Sequence, residues 1–200
     1  EAIEISDDLS RRCMGGGGAP RSDVSGGGPS GGATAAPVGG PSGDPADAKI
    51  QFTSLAKADC RAGGGGTHYR LTCKGMGGYR PIVTGRSGPP AALQQMAKHR
   101  QPHASLTLQT PSGTKVDFGH EMSMRAPRGG PIRVTDKKIA WRYYKGKRRA
   151  PFALVFRVYS GRSSKLFVVR LAGERSCLIG LARTAQEAIE ISDDRSRRCL

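Results

Sequence analysis

Long apolar runs, sustained heptads and a three-residue glycine period are all missing from this 200-residue sequence. No stretch approaches the roughly 18 apolar residues of a membrane-spanning helix, so no such helix is expected. Without heptads a coiled coil is not expected either. Glycine is abundant, at 29 residues, but without the G-X-Y period this abundance does not indicate collagen.

Acidic residues are scarce after residue 47. Residues 48–200 contain 29 Lys+Arg and 9 Asp+Glu, whereas residues 1–47 contain 3 and 7. A domain this basic is expected to have some affinity for polyanions. Residues 48–200 contain no G-x-S-x-G, no paired-carboxylate signature and no phosphate-binding glycine loop. We therefore expect no catalytic residue, no cofactor and no enzyme activity; a hydrolase with an unrecognised site is a remote alternative.

Metal-ligand patterns are weak. The cysteines form no C-x-x-C pair, which the standard structural zinc sites use. His99 and His103 are four residues apart, but Pro102 intervenes and no Cys or acidic residue lies near them. We expect surface histidines and no metal site.

The two ends of the sequence repeat each other. Residues 1–13 read EAIEISDDLSRRC and residues 187–199 read EAIEISDDRSRRC, so only Leu9 and Arg195 differ. This predicts that residues 1–13 are the tail of a preceding copy of the domain, in a chain of tandem copies. An assembly artefact is the alternative.

Residues 14–47 consist mostly of Gly, Ala, Pro and Ser. A segment of this composition has little to bury and predicts a flexible linker. The expected organisation is therefore a repeat tail over 1–13, a linker over 14–47 and a basic domain over 48–200.

Apolar residues alternate with polar ones in short runs after residue 138, and Gly or Pro separates the runs. Period-two alternation with turns every eight to twelve residues is typical of an antiparallel meander. In one run, Phe152, Leu154, Phe156 and Val158 are expected to share a face. The candidate strands are 69–73, 80–84, 105–109, 115–118, 139–144, 152–159, 166–171 and 177–181.

The last element has the signature of a helix. Thr184 and Glu187 fit a capping box, and Ala185, Ala188 and Ile189 lie at helical spacing. We predict a helix over 185–197, laid on the sheet. The expected fold is then α+β: mainly an antiparallel meander of about six to eight strands, one C-terminal helix and disulfides.

Four of the five cysteines lie in the basic domain: Cys60, Cys73, Cys177 and Cys199. Four cysteines allow three pairings. We favour Cys60–Cys73, which closes a glycine-rich loop, and Cys177–Cys199, which ties the end of the last helix to the preceding strand. Disulfides would indicate an oxidising compartment, periplasmic or extracellular; free thiols in a cytosolic protein are the alternative.

Basic and aromatic side chains are interleaved around one predicted hairpin turn. Arginine and lysine suit phosphate contacts, and tyrosine suits stacking on a ligand. The alternative is a solvated sheet edge that lysines protect against aggregation. The candidate polyanion-binding residues are Arg142, Tyr143, Tyr144, Lys145, Lys147, Arg148 and Arg149.

Several short motifs are spread along residues 50–200. They are FTSL at 52–55, DC at 59–60, a cysteine at 73 with GGY at 77–79, IAWR at 139–142, PFALVFR at 151–157, LFVVRL at 166–171, and cysteines at 177 and 199. In combination they resemble a family of small exported bacterial proteins of uncharacterised function, with four cysteines and a C-terminal helix that ends in Cys. The resemblance implies an envelope location and no particular activity. This chain differs in being far more basic and in an insertion-like stretch at 85–102.

Together these features predict a non-catalytic exported module with a binding or structural role. Its expected partner is an anionic polymer: an envelope polymer, a lipid surface or nucleic acid. The alternative is a cytosolic nucleic-acid-binding domain that uses the same basic surface with free thiols.

Overall fold

The computed structural model describes residues 47–99, 102–135, 137–145 and 150–200. The predicted repeat tail and, apart from Asp47, the predicted linker lie outside the described residues. The first strand begins at Ala48, the residue at which the composition changes. Among the described residues no helix is long and apolar enough to cross a membrane.

The described chain is mostly β-structure with three α-helices and one short 3-10 helix at Lys57–Asp59. The helices are α1 Pro90–Lys98, α2 Gly119–Arg125 and α3 Ala185–Asp193. The strands are β1 Ala48–Ser54, β2 Cys60–Gly63, β3 His68–Cys73, β4 Arg80–Arg86, β5 Pro102–Gln109, β6 Lys115–Asp117, β7 Ile132–Val134, β8 Lys138–Tyr144, β9 Pro151–Ser160, β10 Ser163–Arg170 and β11 Cys177–Ala182.

The eleven strands of the described residues belong to one curled sheet. Eight of them follow the order β1-β8-β9-β7-β5-β4-β3-β2; off this path, β6 pairs with β5, β10 with β9 and β11 with β10. The long strand β9 is central. Strands β8 and β7 both pair with one edge of β9, and β10 pairs with its other edge. Strand β11 then pairs with β10. Every pairing is antiparallel except β5 with β7. The sheet is thus larger than the predicted six to eight strands, although consecutive strands β8 to β11 do form a meander.

The prediction of a single helix is wrong, because α1 and α2 precede α3. Helix α1 lies in the insertion-like stretch, begins at Pro90 and ends with a basic last turn. Proline suits the first turn of a helix because its missing N–H has no intrahelical partner there. Helix α2 is two turns long and buries Met122. Glycine and proline around both segments hide the helical pattern in the sequence.

Helix α3 confirms the predicted start but ends earlier than residue 197. The Thr184 hydroxyl accepts a hydrogen bond from the Glu187 N–H at 3.2 Å, as a capping residue does. The helix stops at Asp193 because the Asp194 carboxylate accepts hydrogen bonds from the N–H and hydroxyl of Ser196. Such a local side-chain bond competes with further helix.

Both faces of the sheet are covered in the region of β10 and β11. Leu166, Val168 and Ile179 are buried with Ala188 and Ile191 of α3. The opposite face carries the main core, which centres on fully buried aromatic and aliphatic side chains. The largest fully buried side chains include Trp141, Phe118, Phe156, Phe167, Leu106 and Leu154.

The absence of a side chain at Gly180 allows α3 to pack closely against the sheet. A Cβ atom at this position would lie 2.6 Å from Cγ2 of Ile191. We expect Gly180→Val to lower the free energy of unfolding by about 1–3 kcal/mol, since overpacking forces α3 away from β11. Chemical denaturation measures this change. The matched control is Gly65→Val, because a Cβ at Gly65 meets nothing within 4 Å; an equal loss in both variants would contradict the explanation.

Two disulfides, Cys60–Cys73 and Cys177–Cys199, are present and match the predicted pairing. The first links β2 to β3 directly across the pair of strands. The second links the start of β11 to the segment that follows α3. Both close loops in a fold with many glycines, where restricting the unfolded chain is an effective way to stabilise it.

Candidate functional site

Arg142 does not lie on the surface, contrary to its predicted role in polyanion contact. Only 5% of the residue is exposed. Its Nη2 donates to both carboxylate oxygens of Asp193 at 2.6 Å. The buried Nε has no hydrogen-bond partner in the described part of the chain. The guanidinium is therefore engaged by Asp193 at the end of α3.

The two aromatic neighbours of Arg142 also point inward. The Trp141 side chain is fully buried, and its Nε1 donates to the Thr53 hydroxyl at 2.8 Å. Tyr143 is half-buried and packs against the main core. The Trp141 ring is therefore closed to a ligand, whereas part of Tyr143 remains exposed.

Tyr144 belongs to a shallow pocket on the α3 face of the sheet. Its ring stacks on Phe152, with centroids 4.4 Å apart and planes 17° from parallel. The pocket has a volume of about 70 Å³. We call it the Tyr144 pocket; its lining residues are Tyr144, Phe152, Arg170, Leu171, Ile179, Ser192 and Arg195.

A β-bulge explains why Phe152 is here. The register of β8 on β9 shifts between Arg142 and Tyr143, and bulges re-aim neighbouring side chains. The predicted shared face therefore holds for Leu154, Phe156 and Val158, which join the main core. It is wrong for Phe152, which stacks on Tyr144 instead.

Two arginines from other elements complete the positive side of the pocket. The Arg195 Nη2 donates to the Tyr144 hydroxyl at 3.0 Å, and its guanidinium carbon lies 5.7 Å from the ring centroid. Arg170, at the end of β10, donates to the main-chain carbonyls of Asp194 and Arg197 at 3.2 and 2.7 Å. Positive side chains at this position also complement the negative C-terminal end of α3.

The carboxylates nearest to the pocket already have cationic partners. Asp193 is paired with Arg142, and Asp194 contacts Arg197 at 3.4 Å. Hydrogen bonds from Ser196 hold the pKa of Asp194 below its ordinary value, and the charge of Arg197 acts in the same direction. These two acidic side chains of the described chain are thus engaged by Arg142 and Arg197.

The remaining predicted site residues, Lys145, Lys147, Arg148 and Arg149, follow Tyr144 in sequence. Lys145 is exposed. Lys147, Arg148 and Arg149 lie outside the described residues and stand in sequence between Lys145 and Pro151, the residue that opens β9. We call the Tyr144 pocket together with Lys145 the Arg/Tyr surface, and the basic residues that follow Lys145 in sequence remain the predicted candidates for binding beside it.

The described histidines and acids form no second site. No group of three or more His, Cys, Asp or Glu side chains comes together among the described residues. His103 contacts the Arg86 carbonyl through Nε2 at 2.6 Å, and His68 and His99 are exposed. Glu174 accepts hydrogen bonds from Thr114 and Ser112, which lower its pKa; this contact ties the β10–β11 loop to the β5–β6 turn.

Three residues that line the Tyr144 pocket were not among the predicted site residues: Phe152, Arg170 and Arg195. Arg170 ends a predicted strand and gives no local signal, because only strand pairing brings it beside Phe152. Arg195 carried a signal: it is the one residue that differs between the two terminal repeats. When two repeats are otherwise identical, a charged residue found in only one of them is a reason to look for a contact specific to that copy.

Comparison of the chain with protein-family models, curated proteins and solved structures finds no match. The functional assignment therefore depends on the side chains of the Arg/Tyr surface and on the disulfides.

Proposed function

We propose that this protein is an exported, non-catalytic module that binds an anionic polymer of the cell envelope through the Arg/Tyr surface. The observation that carries the proposal is the Tyr144 pocket. There, an aromatic pair is flanked by Arg170 and Arg195, and the nearby carboxylates are already paired with arginines. Arginine suits phosphate-like groups, and an aromatic ring offers a stacking platform beside it.

The size of the pocket favours a polymer over an enclosed small molecule. Pockets for small ligands have typical volumes of about 300–1,000 Å³. The Tyr144 pocket, at about 70 Å³, is too small to enclose one. A polymer that lies along the surface can place one group in the pocket and continue past Lys145.

The charge balance supports the same partner. Residues 48–200 contain 29 Lys+Arg and 9 Asp+Glu. Such an excess draws polyanions to the domain by long-range attraction. The Arg/Tyr surface then supplies the short-range contacts, and the rest of the basic surface contributes attraction without orientation.

The two disulfides support the export of the protein. Disulfides persist in oxidising compartments and are rare in the cytosol. A cytosolic nucleic-acid-binding domain with the same surface would keep these cysteines as thiols. The compartment of the protein, and not its mode of binding, therefore distinguishes the proposed function from the cytosolic alternative.

A salt series with paired variants tests the binding surface. One variant replaces Lys145, Arg148 and Arg149 by Gln, and the probe is fluorescein-labelled polyphosphate followed by anisotropy. Each lost contact on a single-stranded polyanion lowers the slope of log K against log salt by about 0.7. We expect the slope to fall by about 2 relative to the unchanged chain.

The matched control replaces Arg61, Arg70 and Arg86 by Gln. These three exposed arginines lie on β2, β3 and β4, far from β8 in the strand order. The control removes the same charge, so its slope should stay close to that of the unchanged chain. Equal slopes in the two variants would show that binding follows net charge alone and would contradict the proposed surface.

A further inference from the structure

Helix α3 sits in a groove formed by β10 and β11. Ala188, Ile191 and Ser192 are 2–5% exposed and face the sheet. Gly180 supplies the floor beneath Ile191. We call this the α3 groove. Its shape requires small side chains at two helix positions and one isoleucine that fits over a glycine.

Further contacts hold the C-terminal end of the helix and the residues after it. Asp193 pairs with the buried Arg142, and Cys199 is disulfide-bonded to Cys177 at the start of β11. The Leu200 N–H also donates to the Leu178 carbonyl at 2.9 Å. The groove therefore recognises a helix, an aspartate at its end and a cysteine six residues beyond.

Residues 1–13 contain every one of these side chains at the same spacing. The counterparts, at an offset of 186 positions, are Ala2, Ile5, Ser6, Asp7 and Cys13. The single difference is Leu9 in place of Arg195. Arg195 is exposed and contacts Tyr144, so this difference leaves the floor of the groove unaffected.

We propose that residues 1–13 of one chain occupy the α3 groove of a second copy of this chain, and that a Cys13–Cys177 disulfide then joins the two copies. The covalent step is a thiol–disulfide exchange. The Cys13 thiolate attacks Sγ of Cys177, the Cys177–Cys199 bond breaks, and Cys199 leaves as a thiolate that takes up a proton. One disulfide is lost and one is formed, so the step needs no oxidant.

Exchange is close to balanced because Ala2, Ile5, Ser6 and Asp7 of the incoming segment match the groove-facing side chains of α3, although residues 184–186 have no counterpart in residues 1–13. The resident α3 has the advantage of being tethered to β11, which gives it a high effective concentration. A second copy competes when the chains are concentrated or held near one another. Swapping of an identical element in this way is a known low-cost route to joined copies.

A synthetic peptide of residues 1–13 tests the groove directly. The peptide is added, in a glutathione redox buffer, to the full chain carrying Cys13→Ser, a change outside the described residues. A non-reducing peptide map then measures the mixed disulfide at Cys177. We expect an adduct there whose yield rises with peptide concentration.

Two altered peptides separate groove binding from unspecific thiol chemistry. In the Ile5→Arg peptide a charge would have to enter the site of Ile191, so the yield should fall at least about tenfold, because a buried unpaired charge is strongly unfavourable. The Leu9→Arg peptide, which matches 187–199 completely, should react as well as the original. Equal yields from the original and Ile5→Arg peptides, or no adduct at Cys177, would overturn the proposal.

The unchanged chain supplies an independent measurement that needs no variant. Incubated at increasing concentration in the same redox buffer, it should form covalent dimers whose peptide map contains a Cys13–Cys177 bond. A Cys13–Cys177 bond found only in monomers would overturn the exchange between copies, and so would dimers joined through Cys13 alone.

Discussion

An Arg142→Met chain is expected to lose about 3 kcal/mol of unfolding free energy and to keep its affinity for polyphosphate. Removing one partner of a buried ion pair costs about 3–5 kcal/mol because the other charge stays buried without a partner. The Asp193 side chain retains 21% exposure, which places the expected loss at the lower end of this range. Urea denaturation measures the stability, and anisotropy measures the affinity.

The double variant Arg142→Met with Asp193→Leu removes both charges. It should recover much of the lost stability, since an apolar pair can replace a buried ion pair at little cost. Arg133→Met is the matched control: Arg133 is exposed on β7, so its loss should stay within about 0.5 kcal/mol. If Arg142→Met instead leaves stability unchanged and weakens polyphosphate binding, Arg142 acts as a surface contact and the structural interpretation is wrong.

The second large effect concerns the disulfides. In a chain isolated from its native compartment with free thiols blocked, we expect Cys60–Cys73 and Cys177–Cys199 to be intact in a non-reducing peptide map. Replacing Cys177 and Cys199 by Ser should lower the unfolding free energy by about 3 kcal/mol, the loop-closure contribution for a loop of this length. The two cysteines are 22 residues apart in sequence.

The Cys60→Ser/Cys73→Ser variant is the companion measurement. Its loop is shorter, with a separation of 13 residues, so the expected loss is similar or slightly smaller. Blocked thiols at all four positions in the native chain would contradict the proposed export. The cytosolic nucleic-acid-binding alternative would then explain the basic surface better.

The sequence predicted the parts of the fold that depend on local pattern. Alternating apolar residues after residue 138 predicted strands that correspond to β8, β9, β10 and β11, and the capping residue Thr184 predicted the start of α3. The cysteine pairs followed from which elements they could tie together. The strands and the helix start are encoded within a few residues each, and the four cysteines allow only three pairings.

Other features depend on residues distant in sequence and could not be predicted in this way. Arg142 stands at an alternating position that looks solvent-facing, but α3, about 50 residues later, covers it and supplies Asp193. Arg170 and Arg195 reach the Tyr144 pocket only through strand pairing and helix placement. The sequence therefore included Tyr144 among the candidates but gave no sign of the burial of Arg142 or of the positions of Arg170 and Arg195 at the pocket.

The parallel pairing of β5 with β7 could not be predicted from the local sequence either. β7 is only three residues long, Ile132–Val134, and its neighbours include Gly129 and Gly130. So short a strand shows no alternation that could indicate a partner. Its place between β5 and β9 is set by the register of those longer strands.

The most direct test of the central claim is to observe which arginine side chains contact the polymer. Two-dimensional NMR spectra of the guanidinium Nε–Hε groups, recorded during titration with polyphosphate, report this for each arginine. We predict that the signals of Arg148, Arg149 and Arg195 shift together, while those of Arg61 and Arg70 stay in place. Shifts of equal size at Arg61 and Arg70, or unchanged signals at the first three, would contradict binding through the Arg/Tyr surface.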